Sequence, residues 1–364
     1  MKVARWKLTL NREKGILKKS VICVWEEIFM TLSKKANPGI SMLRLVLSYL
    51  VVTCHFYAVS ADSFRYYLMH LAVPCFTFLS FYLMANKLDA PSFRMLANRV
   101  WRLFLPMCGW AFIYFAYYKI LCYTGLSDKN VSIRDLIWQC FIGHSYNWSL
   151  WFISNQIMVL IIIWLVHLIF RSNVGRNVVL IILFGLCIIS QCEGWQNILL
   201  PHLNLELSTV VARIPEVLPF ACLGIFVKKA ETIIGSTYKK ITSNYKLYMA
   251  IILLFVPYIL HEINVESVVG LGYGGWKNLF GALALSIAFV IMPMRNIKVV
   301  DFLSKYSMGL YCVHMMVGES YQIVLSYLGI GFGRTALDCF FIWAISLIIA
   351  IIIGQIPYVK KIVL

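Results

Sequence analysis

Residues 40–59 read ISMLRLVLSYLVVTCHFYAV. A run of this length, rising about 1.5 Å per residue, crosses the roughly 30 Å hydrocarbon layer of a bilayer as one helix. It nevertheless carries an arginine, Arg44, and a histidine, His55. Their separation, at about 100° per residue, comes within about 20° of three full turns, so the two share one stripe of the helix about 16 Å apart. An ionisable group at membrane depth costs several kcal/mol unless it faces protein or water, and two on one stripe argue for a polar interior cavity. The plainer alternative has Arg44 snorkelling to the interface and His55 packing as a hydrogen-bonded core residue.

The surrounding composition supports a membrane setting. Of 364 residues, 61% are hydrophobic and 13% charged, more apolar than a soluble globular chain needs. Beyond the first stretch, apolar runs recur at 67–86, 100–120, 148–170, 178–190, 210–227, 248–261, 277–294, 307–327 and 337–357. The expected fold is therefore all-α, a polytopic membrane bundle of about ten transmembrane helices. The net charge of +17 invites a nucleic-acid reading, but its distribution excludes one. Of 33 Lys and Arg residues, 25 fall in 1–37, 87–102, 171–176, 228–246, 295–305 and 360–361, seven fall in the alternate loops, and Arg44 lies within the first span. That asymmetry predicts both termini in the cytoplasm.

Residues 1–37 are expected to be a basic cytoplasmic arm, either a helix at 21–32 lying on anionic membrane lipid or a disordered tail. Residues 38–364 form the transmembrane domain. No cleavable signal peptide is expected, the first span serving as insertion signal. The eleven cysteines are scattered without CxxC or Cys/His ligand spacing, and predict neither disulfide nor metal. The outer segments 125–148, 191–209 and 261–276 collect aromatics and polar groups such as Trp138, His144, Tyr146, Trp195, His202 and Glu262. Such a mixture stacks on sugar rings, and equally forms an interfacial aromatic belt.

Arg44 and His55 stand in a wider frame. They are followed by CFTFLSFYLMANKL (75–88), FRMLANRVWRLFLP (93–106), SLWFISNQI (149–157) and YSMGLYCVHMMVGE (306–319). In this order and spacing the segments resemble acyltransferase family 3, integral membrane enzymes that move acyl groups, usually acetyl, onto sugars and other surface acceptors. The resemblance runs from about residue 39 to the C-terminus. It implies an O-acyltransferase of the bacterial cytoplasmic membrane, with acetyl-CoA as acyl donor and a sugar hydroxyl of a surface glycan or lipid-linked sugar as acceptor.

The family's first-helix motif falls on Arg44 and His55, which implies His55 as the catalytic residue and Arg44 as its partner. A neutral imidazole, with an ordinary pKa of about 6.5, takes a proton from a hydroxyl or briefly holds an acyl group. Arg44 would stabilise a thioester oxyanion or bind donor phosphate. The family's Arg-x-x-Arg motif falls on Arg99 and Arg102, implying that these bind the nucleotide phosphates of coenzyme A. Residues three apart share a helix face, although positive-inside charge explains the pair equally well from composition alone.

This chain departs from the pattern at Phe81, where the family usually has a small residue, which puts close helix approach there in doubt and would reshape the donor or acceptor cavity. Among later ionisables, His314 and Glu319 are candidates for lining the cavity, on faces about 140° apart. A structural, hydrogen-bonded role serves His314 equally. Arg213 and Glu216 read as a satisfied i,i+3 pair and His167 as interfacial. Trp148, Trp151 and Asn155 are possible cavity residues. The rival functional class is a transporter or flippase for a lipid-linked sugar or small solute, because a bundle with buried Arg and His also suits transport. Oligomeric state is left open.

Overall fold

The computed structural model describes residues 37–58, 64–192, 205–240, 251, 276–291, 295, 297–357 and 359. The N-terminal arm lies outside the described residues, as does most of the expected span at 248–261 and of the outer segments 191–209 and 261–276. Every regular element among the described residues is helical. In chain order these are α1 (Pro38–Phe56), α2 (Phe64–His70), α3 (Ala72–Leu88), α4 (Phe93–Tyr123), α5 (Ile133–Ile142), a 3-10 turn (Trp148–Leu150), α6 (Trp151–Ile169) and α7 (Asn173–Cys192). There follow α8 (Leu205–Lys240), α9 (Trp276–Ile291), α10 (Lys298–Ser304), α11 (Ser307–Tyr327) and α12 (Ala336–Gln355).

By length and composition, six helical stretches suit a membrane crossing: α1, α2 with α3, α4, α6, α7 up to Ser190, and α12. The expected runs at 210–227, 277–294 and 307–327 lie on α8, α9 and α11. Outward faces are apolar: α7 exposes Val174, Val178, Ile181 and Ile182, and α12 exposes Leu337, Ile348 and Ile352. In water such faces would be a liability, whereas hydrocarbon solvates them without cost. The protein is an all-α polytopic membrane bundle.

One element was not expected. The segment 125–148, read from sequence as a loop, contains the short helix α5. Ser132 and Asp135 form a reciprocal capping box at its start, and Gly143 ends it in the left-handed region. Its Ile133, Ile137 and Phe141 recur every four residues and are all exposed, the face of a helix lying along an apolar interface.

Helix α1 is the hub, packing against α2, α3, α9, α10, α11 and α12. Its start is fixed by Asn37, whose side chain accepts from the Gly39 N–H at 2.9 Å and donates to the Val290 carbonyl of α9 at 2.9 Å. Pro38 takes the first helical turn, where no N–H is needed. In mid-helix the Trp343 indole of α12 donates to Ser48 Oγ at 3.0 Å. The end comes at Phe56, short of residue 59, because Tyr57 turns extended and the Ala58 N–H is claimed by the Arg334 carbonyl at 3.1 Å. His55 therefore sits in the last turn of α1.

Two glycines let helices meet backbone to ring or backbone to backbone. A Cβ at Gly318 of α11 would fall inside the Phe56 ring, and one at Gly224 of α8 would collide with the Phe78 carbonyl of α3. The second contact supplies the close approach that Phe81 put in doubt. Phe81 itself is buried in the core, away from the cavities described below.

Phe56 on Gly318 generates a stability prediction. Gly318→Leu should destabilise the bundle by about 1–3 kcal/mol, the usual cost of overpacking a tight contact. Gly185→Ala, where a Cβ meets open space in a helix, should not destabilise it. Thermal unfolding of the two detergent-solubilised variants beside the unsubstituted chain checks the contrast.

Candidate active site

The cavity begins at a ring of cations. Its outer part, of about 510 Å³, is lined by Arg44 from α1, Lys87 from α3, and Arg94, Arg99 and Arg102 from α4. The inner part, of about 260 Å³, shares Arg44, Ser80, Leu83, Arg99 and Arg102 with it and adds Lys305. No described carboxylate lines either part, and none of these cations is in an ion pair with a described residue. Arg99 Nη2 reaches Ser80 Oγ at 3.4 Å, a weak contact for a guanidinium with five donors. Ser92, the N-cap of α4, also lines the outer part, so the positive end of that helix dipole opens onto the same space. So many like charges around one hollow are stable only with a polyanion or solvent among them.

Local sequence explains the convergence. Ser92 caps α4 by accepting from the Met95 N–H, which starts the helix just before Arg94 and sends Arg99 and Arg102 along one face. Arg44 lies in the second turn of α1, and Ser80, Leu83 and Lys87 recur on one side of α3. All of these cations except Arg44 belong to the segments that the charge count assigns to the cytoplasm.

Inward, the lining turns apolar. Phe76, Leu79, Pro106, Phe152 and Met308 lead to Tyr311, which lines the inner part. Beyond Tyr311 lies a pair of histidines. The His55 and His314 rings are 5.2 Å apart between centroids, inclined at 42°. His314 is fully buried, and its Nδ1 lies 2.5 Å from the Tyr311 carbonyl. A carbonyl only accepts, so Nδ1 carries the proton and Nε2 keeps its lone pair. Nε2 has no hydrogen-bond partner among the described residues. A buried polar atom left so needs a partner that arrives with ligand or water.

Phe56 fixes the pair from below. Its ring is 6.4 Å from that of His314 and occupies the side-chain space of Gly318, so α1 and α11 cannot slide apart without separating the histidines. On the side away from the cation ring, α4 and α11 are laced by tyrosines. Tyr114 donates to the Cys312 carbonyl at 2.9 Å and accepts from the Met316 N–H at 3.2 Å, while Tyr118 donates to Glu319 at 2.8 Å. Lys129 completes the Glu319 environment at 3.5 Å.

The sequence-predicted residues thus fall into two groups. Arg44, Arg99 and Arg102 gather at the cation ring, whereas His55 meets His314 near the other end of α1. His314, a secondary candidate from sequence, is the residue that the geometry brings against His55. Glu319 is held by Tyr118 and Lys129. Arg213 and Glu216 pair at 3.5 Å, and Arg213 also stacks 4.3 Å over Trp151. Burial and the nearby Arg213 charge lower the His144 imidazole below its usual range, keeping it neutral at ordinary pH. His167 is buried near the end of α6, bonded to the Ile163 carbonyl at 2.9 Å. Asn155 is buried with its Nδ2 donating to the Trp151 carbonyl at 3.3 Å, and the Trp148 side chain lies outside what is described.

Among known families, the sequence model described as an acyltransferase domain matches residues 37–359. No curated protein and no solved structure gives a match.

The cation ring predicts binding of a nucleotide polyphosphate to the solubilised protein. Arg99→Ala should weaken it about tenfold or more, from the ~1.5–3 kcal/mol of a hydrogen bond to a charged group. Calorimetric titration at low and high salt checks this, with the loss shrinking as salt rises.

Proposed function

The chain belongs to acyltransferase family 3, and from that membership we propose that it carries an acyl group, acetyl for preference, from acyl-coenzyme A to a sugar hydroxyl of a cell-surface or lipid-linked glycan. It would do so in the bacterial cytoplasmic membrane, its donor arriving from the cytoplasm. The observation that carries this reading is the order of features along two adjoining hollows that share five lining residues: cations without described counter-ions at the mouth, a largely apolar throat, and two histidines behind the inner end. Coenzyme A has parts in the same order, a phosphorylated nucleotide, a slender arm and a thioester at the tip.

Arg44, Arg99 and Arg102 would take the phosphates, which for Arg44 is the second of the two roles expected from sequence. The eleven positions from Arg44 to His55 set about 16 Å between phosphate site and imidazole, so the donor needs a long arm. His55 acts as general base. It takes the proton of the acceptor hydroxyl as that oxygen attacks the thioester carbonyl. The carbon–oxygen bond forms, the carbon–sulfur bond breaks, and the imidazolium returns its proton to the departing thiolate.

His314 supplies orientation. With its proton fixed on Nδ1, its unpartnered Nε2 would accept from the His55 ring N–H through one water, leaving the other His55 nitrogen as the base. This is the arrangement by which a third group orients the histidine of a triad, here with an imidazole in the carboxylate's place.

Membranes holding the protein, incubated with radiolabelled acetyl-coenzyme A and a glycan acceptor, should place label in the glycan. His55→Ala should lower the rate by about 10²–10⁴, the worth of a general base, while expression and insertion persist. Label transfer at an undiminished rate by that variant would remove His55 from the chemistry.

A further inference from the structure

The donor cavity and the histidine pair are adjacent but not joined. Neither His55 nor His314 lines the cavity, and Tyr311 touches both spaces. Its ring lies 5.8 Å from that of His314 and 5.6 Å, edge-on, from that of Phe152, which lines the same inner part. Its hydroxyl donates to the Ser149 carbonyl, in the turn just before α6. The residue is 6% exposed. Its backbone carbonyl, not its side chain, holds His314 Nδ1. A turn of the ring about its Cα–Cβ bond would therefore leave the bond to the histidine in place.

We propose that the Tyr311 ring is the wall between the donor cavity and the histidine pair, and that its bulk sets the length of acyl group the enzyme transfers. The proposal rests on the acyl-coenzyme A reading above. A thioester entering from the cation ring leads with its acyl end, and that end meets Tyr311 and Phe152. The acyl carbon reaches His55 only when the ring swings aside and its hydroxyl leaves the Ser149 carbonyl. A two-carbon acyl group asks little further room. A longer one needs the volume that the two rings fill, and a packed interior yields such volume only at a cost.

The test compares acetyl- and butyryl-coenzyme A as donors in membranes carrying the unsubstituted chain, Tyr311→Leu, Tyr311→Phe, and Tyr327→Leu. Tyr327 is 91% exposed and serves as the surface control. Tyr311→Leu should raise the butyryl-to-acetyl ratio of kcat/KM by about tenfold or more, the scale on which a pocket discriminates methylenes. Tyr311→Phe, which keeps the ring, and Tyr327→Leu should leave the ratio near its original value. An unchanged ratio in Tyr311→Leu, or an equal shift in Tyr311→Phe, overturns the wall while leaving the donor assignment standing. If Tyr311→Leu fails to accumulate, Phe152→Leu removes the bracing ring and is held to the same criterion. An unsubstituted chain that transfers from neither thioester overturns both proposals.

Discussion

Charge inside hydrocarbon is the constraint from which this structure follows. Arg44 cannot face lipid, and the bundle meets that demand by surrounding it with other cations and a hollow that no described carboxylate lines. A neutralised arginine would be a packing element. One left without a described counter-ion, in company with Arg99 and Arg102, is an electrostatic well for an anion delivered from outside. The polar end of the cavity is thus the same feature seen as a cost to the fold and as a capacity to bind.

The histidine end follows from contact rather than charge. α1 packs against six or more of the described helices, and its last turn is held by the Phe56 ring on Gly318 and by the backbone bond between Ala58 and Arg334. These contacts fix His55 against α11 at a defined height. His314 is fixed in turn by the carbonyl of Tyr311 three residues before it, within its own helix. Two rigid elements, each carrying one imidazole, are pressed together by neighbours that take no part in the chemistry.

The membrane class and the candidate first helix were legible because hydrophobic length and the three-turn spacing of Arg44 and His55 are local properties. So were Arg99 and Arg102, whose common face follows from their spacing. Partnership was not legible, since nothing in the sequence near His55 announces that residue 314 lies against it. The end of α1 depends on a distant backbone carbonyl, and so fell short of the apolar run. Phe81 looked like an intrusion into the cavity but sits about 100° around α3 from Ser80, on the core side. For α5 a signal existed: the Ser-x-x-Asp spacing at 132–135 is a capping box, obscured by the aromatic and polar residues that made the segment read as loop.

Because Arg44 and His55 ride on one unbroken helix, the distance and angle between them are counted in residues. Replacing side chains between them alters fit, but adding or deleting a single residue there would turn one end by about 100° against the other and shift it by about 1.5 Å. Either anchorage could be kept, not both. This stretch should consequently drift in composition while holding its length fixed, whereas loops elsewhere in the chain are free to grow or shrink.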